Sequence, residues 1–182
     1  ADDDVTLDAT GNAVVVHPEG ETTVASLNLR DSINLTGGSL TVIGDFSMPA
    51  GRYISASGDG TTLVADSVSS INGVSVYLSA SAKVTLNGIE SVTNSTGGNN
   101  TDMVWQVTDN GSQLSLPDLL KVTNGTNYSD DVRITATSGG RIDLPALLEL
   151  NDPNSGDGRL RSIQVKSEHE GSVVSMPSLN RV

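Results

Sequence analysis

Few side chains in this sequence could do chemistry, and they are of three kinds. The first is a set of planar or hydrogen-bonding groups: Tyr53, Tyr77, Gln106, Arg133, Gln164 and Lys166, with Tyr128 in a loop. Phenol, amide and guanidinium groups on a flat surface suit sugar rings, which take hydrogen bonds in one direction and stack their C–H face on an aromatic ring in another. The second is a set of carboxylates in loops rich in Asn and Gly: Asp130, Asp131, Asp152 and Asp157. Oxygen ligands of this kind suit Ca²⁺, which takes six to eight of them. The spacing Asp152-x-Asn154-x-x-Asp157 matches part of a calcium loop and lacks the closing Glu. Ordinary turn chemistry is the alternative, because turns use the same residues. The third kind would be catalytic, and it is thin. No aligned carboxylate pair suggests glycoside hydrolysis, and there is no Ser-His-Asp order, phosphate loop or nucleotide fingerprint.

Composition narrows the classes further. The chain has 182 residues with 22 Asp and Glu against 10 Lys and Arg, a formal charge of −12. Such a charge repels phosphate backbones, so nucleic acid is not an expected partner. No apolar run approaches the ~18 residues of a membrane-spanning helix. Without cysteine there is no disulfide framework and no thiolate metal site. Aromatic residues make only 3%, with Phe46 and Trp105 single of their kind, so the core must be aliphatic. Six Asn-x-Ser/Thr triplets, at Asn34, Asn94, Asn99, Asn110, Asn124 and Asn127, are read as chance in a chain rich in these residues.

What positions these groups is a repeat. Residues 76–92, 105–122, 132–150 and 163–182 align, residues 53–71 are a weaker copy, and residues 33–48 and 5–16 are degenerate ones. The shared unit is apolar-x-apolar, a small polar turn with Gly, then apolar-x-Leu-Pro-x-Leu-x-x-apolar. Alternation at period two means strands with one side inward, and Pro117, Pro145 and Pro177 exclude helix at those points. Anchored on Val16, Val42, Ala65, Leu86, Leu116, Leu144 and Met176, successive units are 21 to 32 residues apart. Such periods belong to solenoids, in which one unit cannot bury its inner face without its neighbours. The expected fold is therefore all-β: a parallel β-helix of about seven coils with three short strands per coil, forming a single module over residues 1–182. Trp105 is expected to point inward, in the slot of Val76, Val132 and Ile163.

The segment Ala136 to Leu150, ATSGGRIDLPALLEL, resembles repeats of very large secreted or surface proteins of bacteria that form right-handed parallel β-helices. The run Leu116-Pro117-x-Leu119-x-x-Val122 is also similar to leucine-rich L-domains, without their asparagine turn after the strand. The resemblance implies right-handed coils and an extracellular setting. β-Helices of this kind serve as polysaccharide lyases and hydrolases, as adhesin stalks and as carbohydrate-binding modules, and fold alone does not choose among them.

In this frame Tyr53, Tyr77, Gln106, Arg133 and Gln164 are expected in one outward column of first strands, with Lys166 in the next. Loops at residues 93–103, 123–131 and 151–158 are expected to stack as a wall beside that strip, with Tyr128 supplying a ring from the wall. A solvated β face is the alternative reading of the strip. The functional expectation is a non-catalytic, secreted module that binds a polysaccharide such as a plant or algal cell-wall glycan. It would act as a monomer within a larger enzyme or surface protein, with no cofactor unless Ca²⁺. The alternatives are a structural stalk or adhesin segment and a lyase-like enzyme.

Overall fold

The computed structural model describes residues 3–94 and 97–182. It holds nineteen strands and no helix among those residues. The first strand in the chain is β1 (Asp4–Leu7). Seven coils follow. The first contains β2 (Val14–His17), β3 (Glu21–Val24) and β4 (Ser26–Leu29). The second has β5 (Ser32–Leu35) and the long β6 (Ser39–Ser47), and the third β7 (Tyr53–Ser57) and β8 (Thr62–Ser70). The fourth has β9 (Ser75–Ser79), β10 (Lys83–Leu86) and β11 (Ser91–Thr93). The fifth has β12 (Asp102–Thr108), β13 (Gln113–Ser115) and β14 (Lys121–Thr123). The sixth has β15 (Asp131–Thr137), β16 (Arg141–Asp143) and β17 (Glu149–Asn151). The seventh has β18 (Ser162–Glu168) and β19 (Val173–Ser175), and its Arg181 bridges back to Glu149.

Every strand pairing is parallel and joins a strand to its counterpart in the next coil. The first strands form one seven-stranded sheet, β2-β5-β7-β9-β12-β15-β18. Second strands form another, which merges with the third-strand face in the early coils because β6 and β8 run around the corner between them. In β6 the register shifts between Val42 and Asp45, and Gly44 turns the corner there. A side chain on Gly44 would meet the Ala25 carbonyl oxygen at 2.6 Å, so only glycine fits. This is the parallel β-helix that the repeat implied, with seven coils.

The core is a set of aliphatic ladders. On the first-strand face Ile33, Ile54, Val76, Trp105 and Ile134 stack in register and are buried, as do Leu35, Ala56, Leu78, Val107 and Ala136. The second-strand ladder is Leu40, Leu63, Val84, Leu114 and Ile142. Val92, Val122 and Leu150 form the third in the later coils, and Leu27, Phe46 and Val68 in the earlier ones. Trp105 is 1% exposed and its indole N–H donates to the Val74 carbonyl at 3.2 Å, which satisfies its one polar atom.

Two expectations about placement are corrected. Residues 5–16 do not make one coil. Strand β1 pairs with β4 on the third-strand face, so Val5 and Leu7 meet Leu27 and Leu29. Val16 lies in the first-strand sheet opposite Asn34 and is 55% exposed, rather than inward on a second strand. The cause is that apolar-x-apolar recurs on all three faces, so alternation alone does not say which face a degenerate copy occupies. The other correction is to Trp105, whose slot is shared with Ile134 and Val165 rather than Val132 and Ile163. Strand β12 begins at Asp102, and its first inward residue is Met103, two positions earlier than the Trp.

Candidate functional site

The outward strip is rearranged in two places: that two-residue slip moves Arg133 and Gln164, and Tyr53 precedes the inward Ile54 whereas Tyr77 follows the inward Val76. Its residues fall in two rows, not one. The first row runs Asn34, Ser55, Tyr77, Gln106, Thr135, Lys166. The second contains Tyr53 beside Ser75, and Val104 beside Arg133 and Gln164. Tyr77 and Gln106 are thus direct neighbours, and Lys166 lies on their row. Arg133 and Gln164, expected with Tyr77, lie on the other row. Tyr53 and Tyr77 are diagonal rather than opposite. Their ring centroids are 6.3 Å apart at 70°, an edge-to-face pair. Tyr77 remains 38% exposed. Beside it Ser55, Ser79, Gln106 and Thr108 line a shallow depression of about 140 Å³.

Arg133 is held between two carboxylates. Its guanidinium reaches Asp102 and Asp131, each at 3.0 Å. Asp131 also accepts the Ser162 hydroxyl at 2.7 Å, and Ser162 accepts the Gln164 amide at 2.9 Å. The second row therefore ends in a closed polar network, whereas the first keeps its groups open. Lys166 has no carboxylate within ion-pair reach among the described residues.

The loops stack beside one another as expected, although Ser95 and Thr96 of the first lie outside the described residues. Asn100 N–H donates to the Tyr128 carbonyl at 2.9 Å, Ser129 to Arg159 at 3.1 Å, and Asp157 to Thr126 at 2.9 Å. Tyr128 is half-buried, with the Arg159 guanidinium 5.4 Å from its ring centroid, so one face already holds a cation. Arg159 is fixed by a double hydrogen bond to Asp157 at 2.9 and 2.6 Å. These side-chain bonds, helped by the Arg159 backbone N–H, hold the Asp157 carboxyl down at about 2 and raise the guanidinium in turn.

The four carboxylates suggested for Ca²⁺ do not converge. Asp130 is buried and accepts the Thr101 N–H, the Thr101 hydroxyl and the Asn127 N–H, so it clasps two loops. Asp131 faces Arg133 and Ser162, Asp152 lies 3.5 Å from Arg161, and Asp157 holds Arg159. Among the described residues no three His, Asp or Glu side chains come together in a way that could hold a metal ion.

Two residues at this corner escaped sequence reasoning. Asn94 and Asn124 each follow a third strand, and both are 1% exposed. The Asn94 amide donates to the Thr101 and Asp131 carbonyls and to Asn124 Oδ1. The Asn124 amide donates to the Asp130 and Ser162 carbonyls and to Asp152 Oδ1. This ladder closes the coils behind the loop wall. The signal was present as Val92-Thr93-Asn94 and Val122-Thr123-Asn124, outside the unit used to align the repeat. Burial also removes both from the possible glycosylation triplets.

Comparison with family models, with curated proteins and with solved structures returned no match.

Proposed function

We propose that this protein is a non-catalytic carbohydrate-binding module that lays a polysaccharide along its first-strand face, as part of a larger extracellular enzyme or surface protein. The observation that supports this reading is the row Ser55, Tyr77, Gln106, Thr135, Lys166, which offers a ring, an amide, hydroxyls and an ammonium in consecutive coils. A sugar ring stacks on Tyr77, with Tyr53 bracing the phenol from its edge. Gln106 both donates and accepts toward hydroxyls. A chain running parallel to the coil stack meets one such side chain per coil, so weak contacts add along the polymer.

The test is affinity electrophoresis of the full chain in gels cast with plant and algal glycans. Retardation by at least one polymer is expected, and Tyr77→Ala should abolish it. Failure of every polymer to retard the protein refutes the reading. Retardation that survives Tyr77→Ala moves binding off this row.

A further inference from the structure

An open cleft of about 490 Å³ lies elsewhere, at the corner where third strands of the first coils turn into first strands. Its walls are Asp8, Asn28, Arg30, Ser47, Pro49 and Arg52, over the buried Met48. We propose that this cleft binds the anionic substituent of an acidic sugar, a carboxylate or a sulfate ester. The inference rests on the reading that the protein binds a glycan, and it adds the charge class of that glycan.

The guanidinium of Arg52 is placed rather than loose. Its Nε donates to the Arg30 carbonyl at 3.0 Å and its Nη1 to Asn12 Oδ1 at 2.8 Å. That leaves Nη2 without a protein acceptor among the described residues, and no carboxylate lies within 4 Å of the group. Arg30 is well exposed, and its one ionic contact is a long one, 3.7 Å to Asp8. An incoming anion therefore meets two guanidinium groups, one immobilised and one able to swing from Asp8. Charge-assisted bonds of this kind are the strong ones, and the guanidinium fork matches a carboxylate or a sulfate. Beside them Asn28 and Ser47 stand in register on adjacent strands, an amide and a hydroxyl suited to the sugar's own hydroxyls.

Net charge makes the placement meaningful. At −12 the protein repels anions at long range, but salt screens that repulsion beyond about 8 Å. A local pair of arginines then decides. The cleft also lies one residue along the chain from the strip: Arg52 immediately precedes Tyr53, whose ring meets Tyr77 edge to face.

The probes are single sugars, so the outcome does not depend on the strip. Amide and arginine side-chain spectra of ¹⁵N-labelled protein are recorded with galacturonate, with galactose 6-sulfate, with galactose and with sodium chloride at equal ionic strength. The expected result is shifts at Arg30, Arg52, Asn28 and Ser47 with one or both acids. They should be absent with galactose and salt, unchanged in Tyr77→Ala, and at least tenfold weaker in affinity in Arg52→Gln. Arg30→Gln, at an exposed position, should weaken binding in the same direction. A response to only one acid identifies the source of the anion. Equal shifts with galactose or salt, shifts confined to other residues, or no shift with either acid would overturn the proposal, whether or not the electrophoresis detects a polymer.

Discussion

Replacing Asn124 by Ala removes a side chain that five groups depend on. Its Nδ2 donates to the Asp130 carbonyl at 2.8 Å, the Ser162 carbonyl at 3.2 Å and Asp152 Oδ1 at 3.3 Å. Its Oδ1 accepts the Gly125 N–H at 2.8 Å and the Asn94 amide at 3.2 Å. Each buried group left without its partner costs about 1–3 kcal/mol. The contributions are not additive within one network, and a water that enters the vacated space recovers part of the loss. The net expectation is a loss of about 3 kcal/mol, set at the low end of that range by the buried Asp130 carbonyl and Gly125 N–H and the half-buried Ser162 carbonyl. For a chain of this size that lowers the melting temperature by roughly 6–12 °C. Asn124→Asp should cost at least as much at pH 7, because it turns an oxygen toward two carbonyls and the Asp152 carboxylate. The assay is thermal unfolding followed by far-ultraviolet circular dichroism. Asn34→Ala, at a half-buried outward position on β5, is the control and should stay within about 0.5 kcal/mol. A melting temperature for Asn124→Ala no lower than that of the control would refute the claim that this ladder closes the coils.

Three further outcomes are expected. Trp105→Ala, which empties the largest buried side chain of the core, should cost about 3–5 kcal/mol in denaturant unfolding; a loss under about 1 kcal/mol would contradict its packing. Gly125→Ala drives a methyl group into Asp130 Oδ2, so the carboxylate must release Thr101 or Asn127. It should destabilise by about 1–3 kcal/mol, while Gly98→Ala, whose nearest neighbour would be at 4.0 Å, should be neutral to melting. The Asp157 carboxyl should titrate near 2 in carbon-detected spectra, against an ordinary 3.8, and Arg159→Ala should move its midpoint upward. Because that value is depressed, the pair favours the folded state above the ordinary carboxylate range, and the advantage disappears as pH falls through about 2. An unchanged midpoint in the variant would exclude Arg159 as the cause.

The fold was legible because a coil repeats its constraints. Leu116-Pro117-x-Leu119 and its copies mark the turn from second to third strand, and the residues just before the aligned anchors, Thr85, Ser115, Asp143 and Ser175, pair in the register the alignment requires. The rows of the strip were harder to read for a reason specific to strands. A shift of two residues preserves which side chains face inward, so the inner pattern cannot detect it. Met103 and Trp105 are equally apolar and equally buried, and aligning the wrong one with Val132 leaves every inward residue inward. On the outside the same shift exchanges Arg133 for Thr135 as the partner of Gln106. Strand length decides the matter: β9 has five residues and β12 has seven, and the extra pair at the start of β12 comes from the loop before it. The Asn94–Asn124 ladder was missed because its residues look like loop composition, and their burial depends on contacts made some thirty positions away.

The pairing of charges carries the functional argument further than any single site residue. On the second-strand face Arg141 and Gln113 both bond Asp143, and the first of these bonds raises the guanidinium. On the third-strand face Glu149 lies between Lys121 and Arg181; burial pushes its carboxyl up, and the two cations more than offset that and bring it down. In the loops Arg159 holds Asp157 and Arg161 reaches Asp152. Among the described residues only Arg52, Lys83 and Lys166 have no carboxylate within ion-pair reach. A chain with 22 acidic residues for 10 basic ones does not leave cations unpaired for want of partners. Two of the three stand at the proposed binding residues, Lys166 on the row of Tyr77 and Arg52 in the cleft, one residue before Tyr53. Exposed ion pairs contribute little to stability, so leaving these two open costs the fold little and keeps their donors available to an outside acceptor. Neutralising both, in Arg52→Gln with Lys166→Gln, should therefore leave the melting temperature within about 2 °C of wild type while abolishing retardation by any acidic polymer. A double variant that melts far lower, or that is retarded as before, would show that these cations serve the fold or nothing at all.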